Sequence, residues 1–247
     1  MLPLSHTYVS TRAAGKNTPL LILGSVLPDI SATSSQIISR DKIHDSPDEF
    51  SDFINSKYPQ FQDLSLGVSL HSQINKGADF YSDNSETGYA NLEGAKISSE
   101  VAELINVREG RTSLVLAHNF IELAVDLHLH KNQKEIWNIY DEAIKNSKNE
   151  FPAVAKCLSV YLELDPSIVL EELNRLFTYL GPHNLTTKET AAKKVVIPLI
   201  KLRFKKEVSP EKTLLIIEKA LEIAKPTYEA YLENAATEVR KNILGNS

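Results

Sequence analysis

The chain has 247 residues, 42% of them hydrophobic and 24% charged, enough to bury a substantial core without covalent staples. Its formal net charge of -5 is built from both signs scattered along the chain, which gives no electrostatic footprint for nucleic acid, and a single cysteine, Cys157, excludes an intramolecular disulfide and favours a reducing compartment. No run approaches the roughly 20 apolar residues that span a bilayer, and the early apolar run PLLILGSVLP leads into Asp29 rather than a small-residue cleavage site, so a soluble, cytoplasmic chain that retains this region is expected.

Glycine is scarce, and the apolar residues recur at three-and-four spacing in most windows while strict alternation is almost absent, which predicts an all-α fold. We expect one multi-helix bundle over 1–247, with 1–131 as the metal-site half and 132–247 as helical scaffold. In chain order, four short islands of metal-competent residues come first: LSHTYVSTRA with His6, LGSVLPDI with Asp29, KIHDSPDEF with His44, and LGVSLHSQINKGADFYSD with His71, Asn75 and Asp79. LEGAKISSEVAELINV reads as an amphipathic helix, and so does SLVLAHNFIELAVDLHL, which carries the fifth island and has Thr112 or Ser113 as its cap. EIWNIYDEAIKN, PSIVLEELNRLFTYL and EKTLLIIEKALEIA follow, the last two announced by Asp165-Pro166 and Ser209-Pro210. The loops at Lys131 to Gln133 and Gly181 to Lys188 are too short for flexible linkers.

The helix around residue 118 poses the chemical question, because His118, Glu122 and Asp126 lie one turn apart within an apolar segment. Burying such groups without partners is costly, and a metal ion is one partner that repays it. His118 and Glu122 direct their donors to one point, and His71, Asn75 and Asp79 repeat that spacing on a second predicted helix. Nitrogen and oxygen donors together suit zinc, with iron or manganese as alternatives. Asp126 either orients a ligand or pairs with a cation, Asp45 either supports the adjacent His44 or, like Ser46, caps a helix ahead of Pro47, and His128 and His130 suit an exposed helix end. The basic run Lys193 to Lys206 reads as a packed helix interrupted by Pro198, or as an interfacial face.

The ordered series SHTYVSTRA, GSVLPDI, IHDSP, GVSLHSQIN and HNFIE resembles the zinc-dependent phospholipase C family and the related single-strand nucleases, over roughly the first 126 residues. The resemblance implies an all-helical phosphoric-ester hydrolase in which Asp29, His44 and His71 hold one zinc, Asp29 also touches the attacking water, and His118 and Glu122 hold a second. His6 would belong to a third zinc in the full family pattern. This sequence departs from that pattern in having Asn75 for a carboxylate, Asp79 or Asp83 in place of a further histidine, and no sign of the processing that frees an N-terminal amino ligand in the family. We therefore expect two zinc ions, Asp29 as the catalytic group, and His6, Asp29, His44, His71, Asn75, Asp79, His118 and Glu122 as the candidate ligand set. The expected partner is a small phosphodiester or a phospholipid head group, not a specific nucleic acid. The alternatives are a helical metal-binding protein that keeps the scaffold without turnover and, ranked lower, an HD-type hydrolase, for which His44-Asp45 is the sole dipeptide.

Overall fold

A computed structural model describes residues 1–34 and 37–245. Helix makes up 79% of it and no strand occurs among the described residues, so the fold is all-α. Proline sets many of the starts: Pro3, Pro19, Pro47, Pro166 and Pro210 each open a helix, where a missing N–H costs nothing. Asp165 and Ser209 cap as expected, accepting from the Ser167 and Lys212 amides. No helix among the described residues is long and apolar enough to cross a membrane.

At the centre runs Arg111–Asn132, a 22-residue helix. Leu116, Ala117, Phe120, Ile121, Leu123, Ala124 and Val125 bury most of its circumference, because neighbours pack on several sides: Pro3–Ala14, Tyr89–Gly94, Ser98–Leu104, Lys134–Ser147 and Pro210–Ala224. Its cap is Gly110 rather than Thr112 or Ser113; the Ser113 hydroxyl sits inside the first turn and accepts from the Gly110 amide at 3.0 Å. The predicted continuous helix over 92–107 is broken into Tyr89–Gly94, a tight turn at Ala95–Ile97 and Ser98–Leu104. The buried apolar side chains form one cluster running from Met1 to Val239.

Two further features position the candidate ligands. Pro19–Val26 crosses Gln62–His71 so closely that a Cβ on Gly24 would lie 2.1 Å from the Leu64 carbonyl oxygen, and one on Gly67 would lie 2.3 Å from that of Leu21. That crossing brings the Leu27–Asp29 turn, which follows the first helix, beside the C-terminal end of the second at His71. The second helix then stops: Ser72 turns to ψ 133°, Lys76 takes a left-handed φ of 53°, and a new helix begins at Ala78–Asp83. Toward the C-terminal end, Ala192–Val196 winds one residue wider than an α-helix just before Pro198, which sits in the first turn of Ile197–Phe204.

Candidate metal centre

Seven of the eight predicted ligand residues meet in one buried region. Asp79 lies at its middle. Its Oδ1 accepts a 2.7 Å hydrogen bond from the Met1 amino group and lies 3.3 Å from His6 Nε2, while its Oδ2 lies 3.1 Å from His44 Nε2 and 3.0 Å from His71 Nε2. Three imidazoles from three separate helical segments therefore present the same ring nitrogen to one carboxylate.

For His44 and His71 the opposite ring nitrogen explains that orientation, and His118 follows the same rule. His71 Nδ1 donates to the Ser25 carbonyl at 2.8 Å, His44 Nδ1 to Asp45 Oδ1 at 2.8 Å, and His118 Nδ1 to Asn91 Oδ1 at 3.0 Å. A histidine held through Nδ1 in this way keeps its Nε2 lone pair for a metal, the usual arrangement around ligand histidines. His118 Nε2 faces Glu122 Oε1 at 2.9 Å and Asp83 Oδ1 at 3.3 Å, and Glu122 Oε1 also accepts from the Ser82 hydroxyl at 2.8 Å. Two three-residue groups result, His6 with His71 and Asp79, and Asp83 with His118 and Glu122, each with donor atoms within 4.8 Å of one another. The Met1 amino group stands between them, 2.7 Å from Asp79, 3.6 Å from Asp83 and 2.5 Å from Glu122.

The electrostatics are those of a site short of positive charge. Asp29, Asp79, Asp83 and Glu122 crowd one region whose fixed cation is the Met1 ammonium. Burial opposes charge on His118, but Glu122 and Asp83 outweigh it and push its pKa up to about 10. Burial, reinforced by His71 and the Met1 ammonium, pushes His6 down to about 3. Burial also raises Asp29, with Asp79 adding repulsion. Several buried polar atoms have no hydrogen-bond partner: both ring nitrogens of His6, His71 Nε2, Asp29 Oδ2 and Asp83 Oδ1. Buried polar atoms are rarely left so, and mixed nitrogen and oxygen donors in the two groups, each residue offering one atom, fit divalent cations.

Asn75 is the residue that does not join. Because the helix ends at His71, residue 75 is no longer one turn above it on the same face, and the Asn75 amide donates instead to Asp48 at 2.8 Å near the surface. Asp79 supplies the carboxylate that Asn75 lacks, entering from the next helix. Asp83, the alternative to Asp79 in the sequence, also joins the site: it lies one turn beyond Asp79 and faces His118, a four-residue spacing readable in the sequence. Ser82 and Asn91 carry no readable signal, whereas an amino-terminal ligand is part of the family pattern and is set aside in the sequence for want of a processing signal; the Met1 amino group nevertheless lies at Asp79 and Glu122. Asp126 lies outside the ligand groups: it accepts from the Leu4 amide at 2.8 Å, the Ser5 amide at 2.9 Å and the Ser5 hydroxyl at 2.5 Å, and so anchors the helix that carries His6. His128 donates to or accepts no site group, bonding the Leu221 carbonyl at 2.9 Å through its ring and stacking on Tyr228, while His130 packs edge-on against Trp137.

Beside the centre opens a mostly apolar pocket with about 100 Å³ of free space. Met1, Asp29 and Glu122 line its polar end, and Leu116, Phe120 and Leu199 are among its apolar walls. The run from Lys193 to Lys206 supplies the wall through Val195, Val196, Leu199 and Ile200, as a packed helix would. No protein-family model, curated protein or solved structure matches the chain.

Proposed function

We propose that the chain is a metal-dependent phosphoric-ester hydrolase using zinc, as its resemblance to zinc-dependent phospholipase C implies. The observation that carries the reading is the convergence of bare, buried donors on Asp79 and Glu122 from helices far apart in sequence. Asp29, His44, His71 and Asp79 would hold one ion, and Asp83, His118 and Glu122 a second, with His6 and the Met1 amino group as further donors at Asp79. Two such ions supply Lewis acidity toward a phosphoryl oxygen and lower the pKa of a water toward neutrality.

The chain's own groups do the rest. Asp29 Oδ2 is buried, without a hydrogen-bond partner and at the polar end of the pocket, which supports its assignment as the group that would accept the proton of the attacking water. Asp45, the Ser25 carbonyl and Asn91 fix the ligand rings, so the donors need no rearrangement on binding. The apolar pocket walls exclude bulk water from the side facing Asp29 and Glu122.

The test is elemental analysis of protein purified without added metal, followed by turnover of bis-(p-nitrophenyl) phosphate by wild type and His118→Ala. About two ions per chain, with turnover that is lost in the folded variant, is the expected result. A folded wild-type chain without bound metal overturns the reading, and metal without turnover assigns the scaffold to metal binding alone.

A further inference from the structure

Behind the pocket wall lies a second groove of about 460 Å³, which shares Ala32 and Arg203 with the pocket. Its charged lining is Arg40, Arg203 and Lys205, and no carboxylate lines it among the described residues. This is unusual for a chain of net charge -5 whose metal centre is itself crowded with carboxylates. Arg203 stands on the ridge between the two spaces and stays solvent-accessible beside the Phe204 ring. Partial desolvation lowers its pKa, Asp29 and Glu122 hold it up and Arg40 presses it down, which puts the guanidinium within electrostatic reach of both the centre and the groove. Neither Arg203 nor Lys205 has an ion-pair partner among the described residues, and Arg40 shares Asp45 with His44 at 3.2 Å. Lys205 ends its helix with a left-handed φ of 56°, a conformation that costs a lysine energy and leaves it on the groove rim.

The two spaces flanking Arg203 thus have opposite chemistry. One side offers Leu116, Phe120 and Leu199, and the other offers three cations. We propose that the Arg40, Arg203 and Lys205 groove is an anion subsite of the metal centre, so that the preferred substrate is a phosphoester with one apolar arm and a second arm ending in a phosphate or carboxylate. The subsite rests on the hydrolase reading for its role, but its existence is tested apart from turnover. The local reversal of sign also draws an anionic substrate toward a centre whose own carboxylates repel it.

The experiment uses the purified full-length chain and two fluorescent probes with the same aromatic system. 1-Anilinonaphthalene-8-sulfonate carries an anionic group, and N-phenyl-1-naphthylamine does not. Wild type should prefer the sulfonate, the preference should weaken with salt, and Arg203→Gln and Lys205→Gln should each reduce it, Arg203→Gln by about tenfold, a typical loss for one charge-assisted contact. Binding of the neutral probe and the thermal midpoint should stay unchanged, which shows that both variants fold. No preference in wild type, or the same preference in both variants, overturns the subsite. In parallel, p-nitrophenyl phosphodiesters with and without a carboxylate arm are offered to the same proteins. A kcat/KM advantage for the carboxylate arm that disappears in Arg203→Gln assigns the groove to the substrate. An equal kcat/KM for both diesters in wild type overturns that role. A lost probe preference with no turnover of either diester removes the hydrolase reading and leaves an anion-binding groove.

Discussion

His6 and His71 stack face to face, with ring centroids 4.0 Å apart and planes 10° apart, and each turns Nε2 toward Asp79, at 3.3 Å from Oδ1 and 3.0 Å from Oδ2 respectively. Two imidazoles so close cannot both carry a proton at low cost, and burial together with His71 holds His6 neutral down to about pH 3. His6 is therefore a neutral nitrogen donor, whereas at His71 burial is outweighed by Asp79, which raises its pKa, so an ion binding at His71 Nε2 displaces the proton that Asp79 favours there.

Asp79 is accordingly the residue on which the centre depends most. Asp79→Asn keeps the volume but removes the negative charge facing the Met1 ammonium and three histidines. Stripping one partner from a buried charged cluster costs about 3–5 kcal/mol, so the thermal midpoint should fall clearly and bound metal should drop by at least one ion. Elemental analysis and melting of the variant check this. A variant that melts with wild type and keeps its metal would show that Asp79 is not shared.

Metal removal should weaken the fold itself. Without ions, the carboxylates of Asp29, Asp83 and Glu122 crowd together with the Met1 ammonium and the His118 ring to balance them, and Asp29 Oδ2 and Asp83 Oδ1 have no hydrogen-bond partner. An ion present at a hundred times its dissociation constant adds about 2.7 kcal/mol, so chelation should lower the melting temperature by several degrees and zinc should restore it. Melting curves unaffected by chelator would mean that the folded chain holds no ion.

Much of this was legible in the sequence, and the boundary has a physical cause. His118 and Glu122 converge because their helix runs unbroken from Arg111 to Asn132, so four-residue spacing is a true statement about one face. The same logic failed for His71 and Asn75 because the chain leaves the helix immediately after His71, and periodicity carries no information across a turn. Asp79 is the nearest remaining carboxylate in the sequence, but its central position depends on how the next helix docks. Asn91 reaches His118 across a helix pair, and Arg203 reaches the pocket from the far end of the chain; both are tertiary facts that no local pattern encodes.

The Gly24 and Gly67 crossing makes a prediction about the fold that is independent of the metal. Gly67→Ala places a methyl group 2.3 Å from the Leu21 carbonyl oxygen and 2.6 Å from the Ser25 amide nitrogen, both of them backbone atoms with no rotamer to yield. The helices must separate, at a cost of about 1–3 kcal/mol or more, and the Ser25 carbonyl that holds His71 moves with them. Gly110→Ala is the control, since nothing lies within 4 Å of its added carbon and its φ of 164° is extended backbone. Denaturant melts should separate the two variants; equal midpoints would contradict the close crossing.

Asp126 offers the last test, because it acts on His6 without touching it. Its carboxylate satisfies two amides in the first turn of Pro3–Ala14 and the Ser5 hydroxyl, groups that no intrahelical carbonyl can serve. Asp126→Ala leaves those donors buried and unpaired, and each orphan costs about 1–3 kcal/mol, so the variant should be strongly destabilised. Asp126→Asn keeps one acceptor oxygen and should fall between the two. Because Met1 lies just ahead of this helix and His6 is its fourth residue, loosening it should also spread the donors around Asp79. The folded Asn variant should therefore bind metal more weakly than wild type while Asp79, His71 and His118 are all intact. Equal metal affinity in the two would show that Asp126 serves the helix alone.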